Sequence, residues 1–300
     1  MNGGDGIREG IAAFLRGDRS PHERRVFSSR RKQSTDRLLE IPGAKIETIE
    51  GKRFLEIERN VDGFMGVDVG DELRSALRRL NASNPESVDR GIRPATGWDL
   101  SDLVVLDLET TGFWGCPIFL VGLLLVEKGR LVTQQLVARD YPEEEAILLA
   151  ASRRLDDRSV LVTMNGKSYD VPCFRDRAVL HRVSHRMGAM PHVDILHPAR
   201  RRWASVLPNC RLKTLERFML GIHRTGDVPS SEIPSVYHRF TATGDVGLLR
   251  PVLHHSRVDL LTTAMLLARL MSAGGRAAPF GKSSFSRGEA LSATVSRRVL

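Results

Sequence analysis

The segment Leu103-Val104-Val105-Leu106-Asp107-Leu108-Glu109-Thr110-Thr111-Gly112 sets the hardest condition on how this chain can fold. Its leucine and β-branched residues read as a buried strand, yet the strand ends in two acids spaced two residues apart. Side chains alternate between the faces of a strand, so Asp107 and Glu109 point the same way. Two carboxylates side by side at a buried strand end raise each other's pKa unless a cation neutralises them. Either the strand runs out into solvent, or a hard divalent ion such as magnesium or manganese takes these oxygens as ligands. The pair alone leaves both open.

Two further acids bear on the choice. Residues 160–164 form another short apolar strand and lead into Asn165-Gly166-Lys167-Ser168-Tyr169-Asp170-Val171-Pro172, a turn followed by a helix start. Asp170 sits at that junction, where an isolated Asp would serve as an N-cap. In residues 249–270, Leu253, Leu260, Leu261, Ala264, Leu267, Ala268 and, just beyond, Met271 fall at helical spacing. Asp259 adjoins this apolar stripe and therefore needs a partner; His254 and His255 stand one turn ahead of it.

The segments DLETTG, NGKSYD and HHSRVD together resemble the three exonuclease motifs of the ribonuclease H-like DEDD superfamily. The text from RLKTLE through DVPSSEIPSVYHRFTATGD to HHSRVDLL is similar to its YprB-type branch. The likeness spans residues 97–271, with a weaker hairpin before it. It implies a metal-dependent 3′–5′ exonuclease acting on DNA in repair, with RNA processing as the alternative within enzymes and a non-cleaving nucleic-acid scaffold as the alternative outside them. It implies that Asp107, Glu109, Asp170 and Asp259 hold two Mg2+ or Mn2+ ions and that a histidine is the general base. His254 lies five positions before the last Asp, as in the DEDDh subtype. His255 lies four before it, where the DEDDy subtype has Tyr and where YprB-like sequences often carry His; His255 is slightly favoured. Tyr169 is not a catalytic tyrosine on this reading. The family also suggests a helicase partner.

The remaining text fits an α/β fold: a ribonuclease H-like mixed sheet flanked by helices. Residues 118–126 and 131–138 read as strands joined at Glu127-Lys128-Gly129-Arg130, a hairpin signal, and 143–155 as a helix opened by Pro142. Asp194 closes a further short strand and reads as a structural or supporting acid. Residues 44–59 suggest a hairpin around Gly51-Lys52 that adds to or covers the sheet, 71–80 a short helix and 81–94 a linker. The expected organisation is a basic, disordered tail over 1–35, a hairpin and helix extension with linker over 36–96, the nuclease domain over 97–271, and a second basic, disordered tail over 272–300.

The net charge of +9 is concentrated in the tails: residues 1–35 hold eight Lys or Arg against four acids, and 272–300 five against one. Such tails attract phosphate backbones without reading sequence. Arg200-Arg201-Arg202-Trp203 is the densest internal basic cluster, and two readings stand: arginines on phosphate with Trp203 stacked on a base, or a solvated helix face with Trp203 in the core. Lys167, beside the acids, is another candidate phosphate contact. No stretch reads as a signal peptide or a membrane span. Cys116, Cys173 and Cys210 have no zinc spacing and suit a reducing, cytoplasmic setting.

Overall fold

A computed structural model describes residues 34–113, 115–272 and 294–295. The two expected tails thus lie almost wholly outside the described residues. The sheet has seven strands in the order β1-β2-β5-β4-β3-β6-β7, made of β1 (Ala44–Ile49), β2 (Lys52–Asn60), β3 (Leu103–Thr110), β4 (Ile118–Glu127), β5 (Arg130–Val137), β6 (Val160–Thr163) and β7 (His192–Asp194). Neighbours from β1 to β3 are antiparallel, while β3, β6 and β7 run parallel. This is the mixed ribonuclease H-like sheet, widened at one edge by the amino-terminal hairpin.

Local chemistry sets the turns. Lys128-Gly129 and Glu50-Gly51 both take positive φ, the left-handed pair that two-residue hairpins need. The first hairpin therefore turns at Glu50-Gly51, one residue earlier than Gly51-Lys52 suggests, because Lys52 already pairs with Ile49. Helix α1 (Val69–Asn81) starts at Asp68, whose side chain accepts from Asp71 N. The segment 81–94, which reads as a linker, folds into short 3-10 turns and buries Val88 and Ile92. Next come α2 (Glu144–Asp156), α3 (Asp170–His181), α4 (Leu196–Trp203), α5 (Leu212–Leu215) running into a π-helical turn over Glu216–Leu220, the short β8 (His223–Arg224), α6 (Ile233–Thr243) and the long α7 (Val246–Ser272). Residues 294–295 pair with β8.

Strand β3 is the divide between two buried clusters. Val104, Leu106 and Leu108 join the cluster that holds α2, α3, α6 and the start of α7; Leu103 and Val105 join the one that holds α1, α4 and the rest of α7. Asp107 and Glu109 share the parity of Leu103 and Val105, and α7 lies over that side. Its approach depends on Gly122, which pairs with Asp107 across the ladder: a Cβ there would stand 2.8 Å from Ser256 Oγ and 3.1 Å from Leu260 Cδ1. Among the described residues no helix is long and apolar enough to cross a membrane. The three cysteines are free, Cys173 and Cys210 being buried.

Gly122→Val should lift α7 off the sheet. The expected loss is about 1–3 kcal/mol of stability, the usual cost of overpacking a close contact, read as a lower denaturation midpoint at an unchanged denaturant slope.

Candidate active site

Strand β3 delivers Asp107 and Glu109 where it parts from β6. The β3–β6 ladder stops at Val105 and Val162, and the register of β3 against β4 shifts between Glu109 and Thr110. The opening leaves Leu108 N without a strand partner, and Asp170 Oδ1 accepts it at 3.1 Å. Asp170, first residue of α3, is thereby fixed beside the two strand acids. The turn ahead of it is held by Asp194, almost fully buried, whose carboxylate accepts from Asn165 N (2.8 Å), Lys167 N (3.1 Å) and Leu196 N (3.1 Å). Asp194 thus supports the loop rather than facing the cleft. Tyr169 OH meets Thr110 Oγ1 at 2.9 Å and ties the same loop to the end of β3.

Helix α7 closes the site from above. His255, only 2% exposed, directs Nε2 towards Glu109 Oε1 (3.9 Å) and Asp259 Oδ2 (3.6 Å). Its other nitrogen, Nδ1, lies 2.8 Å from Asp227 Oδ1. That contact places the proton of a neutral ring on Nδ1 and leaves Nε2 as the acceptor facing the acids. Adjacent helix residues differ by about 100°, and His254 is accordingly turned away, half-buried on the other flank of α7. Asp107, Glu109, Asp170, Asp259 and His255 come together, and His254 does not.

Behind Asp259 stands a buried ion network that local sequence patterns do not announce. Arg224 Nη1 contacts Asp259 Oδ1 at 2.5 Å and Asp227 Oδ2 at 3.5 Å, and its other end pairs with Glu216. Glu216 enters the core on the π-helical turn and accepts from Thr262 Oγ1 at 2.6 Å, one turn along α7 from Asp259. Lys213 Nζ adds a contact of 2.9 Å to Asp227. The available signal was the run of charged residues in RLKTLE and DVPSSEIP, which pattern alone cannot pair across space.

The electrostatics follow from crowding. Burial first, then Glu109, Asp259 and Asp170, push the Asp107 carboxyl well above its usual range. Burial likewise lifts Glu109 to about 8, against the pull of His255, and Asp170 to about 7, against its backbone hydrogen bonds. On the far side, burial acts upward on Asp227 but is outweighed by the His255 hydrogen bond, Lys213 and Arg224, which hold it well below the carboxylate range. Burial acts downward on His255, yet Asp227, Asp259 and Glu109 raise it. Asp107 Oδ2 is buried and has no hydrogen-bond partner among the described residues. An orphaned oxygen among carboxyls that resist ionisation fits the hard-cation reading of these donors. As placed, no three Asp, Glu, His or Cys side chains among the described residues converge on one metal position, and Asp259 is engaged by Arg224.

Asp107, Glu109, Asp259 and His255 line an open cleft of about 440 Å³. Ser230, Ser231 and Pro234 line the same cleft, as does Phe113, which is 85% exposed. Of the residues considered as nucleic-acid contacts, Lys167 is exposed at the turn ahead of Asp170 and Arg200 is exposed on α4. Arg201 is paired with Asp89. Arg202 is half-buried and reaches towards Leu270 O at 3.4 Å. Trp203 is 1% exposed and packs in the core, where its ring is not open to a base.

A mixed sheet of this order with acids gathered at the end of its first core strand is the arrangement of the ribonuclease H superfamily, whose family model matches residues 104–271, more than half of the chain; the protein belongs to that superfamily. Within it, the chain is 35% identical over 178 residues to the uncharacterized protein YprB of Bacillus subtilis (strain 168), a match covering 57% of this chain and 42% of YprB. The chain thus spans less than half the length of that relative.

Asp170 and Glu109 bind protons more tightly folded than unfolded. Without metal, stability therefore falls as pH rises from the ordinary carboxylate range through about 7 and about 8. Asp107→Asn should raise the melting temperature by several degrees at pH 8 in EDTA. Magnesium or manganese should raise that of the wild type by more than that of the variant. Equal melting curves under all four conditions would exclude a charge-strained site.

Proposed function

We propose that this chain is a metal-dependent 3′–5′ exonuclease that hydrolyses phosphodiester bonds, with DNA as its substrate. The observation that carries the reading is the convergence of Asp107, Glu109, Asp170 and Asp259 with the Nε2 face of His255. The four carboxylates would hold two divalent cations. Such ions, when bound, supply Lewis-acid stabilisation of the phosphoryl group and lower the pKa of water.

The chain's own residues account for the remaining steps. His255 takes a proton from the attacking water at Nε2, because Asp227 holds the Nδ1–H and fixes both tautomer and ring orientation. Arg224 keeps Asp259 in register through its second anchor on Glu216. Residues 230–231 and 234 line the cleft together with Asp107, Glu109 and Asp259 and would contact the scissile segment there. Polarity, DNA as substrate, a role in repair, a helicase partner and a cytoplasmic location rest on the likeness to the DEDD exonucleases of the YprB type. The RNase H fold itself supports a nucleic-acid substrate.

The test is a gel assay on 5′-labelled DNA and RNA oligonucleotides with magnesium, manganese or EDTA. A metal-dependent ladder shortening from the 3′ end on DNA is expected. A ladder on RNA alone makes the enzyme an exoribonuclease, and binding without cutting makes it a scaffold. Asp107→Ala should abolish cleavage without unfolding the protein. His255→Ala should lower kcat by roughly 100-fold or more, the usual size of a general-base contribution, while His254→Ala leaves kcat nearly intact. Equal, mild losses from the two would remove His255 as the base.

A further inference from the structure

Helix α7 carries a second polar stripe on the flank turned away from Asp259. Arg250, His254 and Arg257 recur at spacings of four and three residues and so share one side of the helix. Arg257 reaches back over the sheet, where Nε donates to Thr133 Oγ1 at 3.3 Å and Nη2 to Asn60 O at 3.4 Å. Arg59, on β2, is directly opposite Thr133 and donates Nε to Pro42 O at 3.2 Å. Among the described residues, Arg59 and Arg257 hydrogen-bond through their side chains only to carbonyl or hydroxyl oxygens, Arg250 makes no side-chain hydrogen bond, and no carboxylate pairs with any of the three.

Four arginines elsewhere against the sheet are paired with carboxylates: Arg139 with Glu143, Arg154 with Glu56, Arg177 with Glu144 and Arg224 with Glu216. In the stripe, burial and then Arg250 weaken the hold of Arg59 on its proton; burial and then Arg59 do the same to Arg257. Burial lowers His254, and although Asp227 opposes this, Arg224 and Arg257 add to it. Half-buried like charges repel unless an anion sits among them, and guanidinium groups suit a phosphate through charge-assisted, forked hydrogen bonds.

Position narrows the source of that phosphate. Arg59 lies opposite Thr133, Thr133 opposite Leu124, and Leu124 opposite Val105, two residues before Asp107. Three strand spacings put the cluster about 14 Å across the sheet from β3, beyond reach of the phosphate undergoing reaction and within reach of one several nucleotides along the same strand. We propose that Arg59, Arg250 and Arg257, flanked by His254, form a binding site for a backbone phosphate of the nucleic-acid strand, remote from the end held beside Glu109. The proposal rests on the nuclease reading above.

The test compares wild type with Arg250→Ala and with Arg250→Gln/Arg257→Gln, the first removing a side chain with no hydrogen bond or ion pair among the described residues. Binding of a long single-stranded oligonucleotide is measured in EDTA over a range of salt concentrations, beside turnover of a dinucleotide in magnesium, with inorganic phosphate as competitor. Each arginine removed should flatten the salt slope of log K by about 0.7 and weaken the long oligonucleotide, with dinucleotide turnover unchanged. Wild-type slopes in both variants overturn the site, as does displacement by millimolar inorganic phosphate with no dependence on strand length. A wild type that cuts oligonucleotides while the variants keep its slope removes this site alone; one that neither binds nor cuts removes the nuclease reading as well.

Discussion

Asp107, Glu109, Asp170 and Asp259 come from three separate stretches of chain and are pressed into one corner, where burial and neighbouring acids make Asp107, Glu109 and Asp170 harder to ionise. Removing carboxylates from water is costly, and setting them side by side adds repulsion. The surrounding fold reads as the means of holding them there. The parting of β3 from β6 frees Leu108 N to hold Asp170; Gly122 lets α7 descend onto the sheet; the π-helical turn brings Glu216 inward to grip Arg224, which grips Asp259. Each device is local, and all serve the same unfavourable gathering.

Charge is distributed across the corner unevenly. The α7 side is compensated, since Arg224 and Lys213 stand against Asp259 and Asp227. The β3 side is not, and Asp107 retains a buried oxygen with no hydrogen bond among the described residues. A buried ion pair is weak evidence for stability, because desolvation offsets much of its attraction. The Glu216–Arg224–Asp259 chain is better understood as fixing position: it sets where Asp259 points while the neighbouring acids stay short of positive charge.

What could be read from the sequence follows from which interactions are periodic. Strand β3 and helix α7 announce themselves by spacing, and the DxE pair by the parity of a strand. The β4–β5 turn is legible because Lys128-Gly129 needs left-handed backbone. The three acidic motifs were recognisable together because they stand in order on the right kinds of element. Asp227, Arg224 and Glu216 were not legible, since their meaning lies in contacts that only the folded chain creates. His254 and His255 are adjacent, so sequence offers two candidates a hundred degrees apart and only the docking of α7 separates them. Trp203 shows the opposite difficulty: three arginines around an aromatic look like a surface, but α4 turns the ring inward while the guanidiniums stay outside or half-buried.

Helix α7 packs its first turns into one buried cluster and its last turns into the other, and the site residues His255 and Asp259 lie between. Strand β3 leaves the ribosome well over a hundred residues earlier. A nascent or carboxyl-terminally cleaved chain that stops short of α7 lacks both the imidazole and the fourth carboxylate. The corner is therefore complete only when the last long element among the described residues docks on the sheet, so its assembly is tied to completion of both buried clusters.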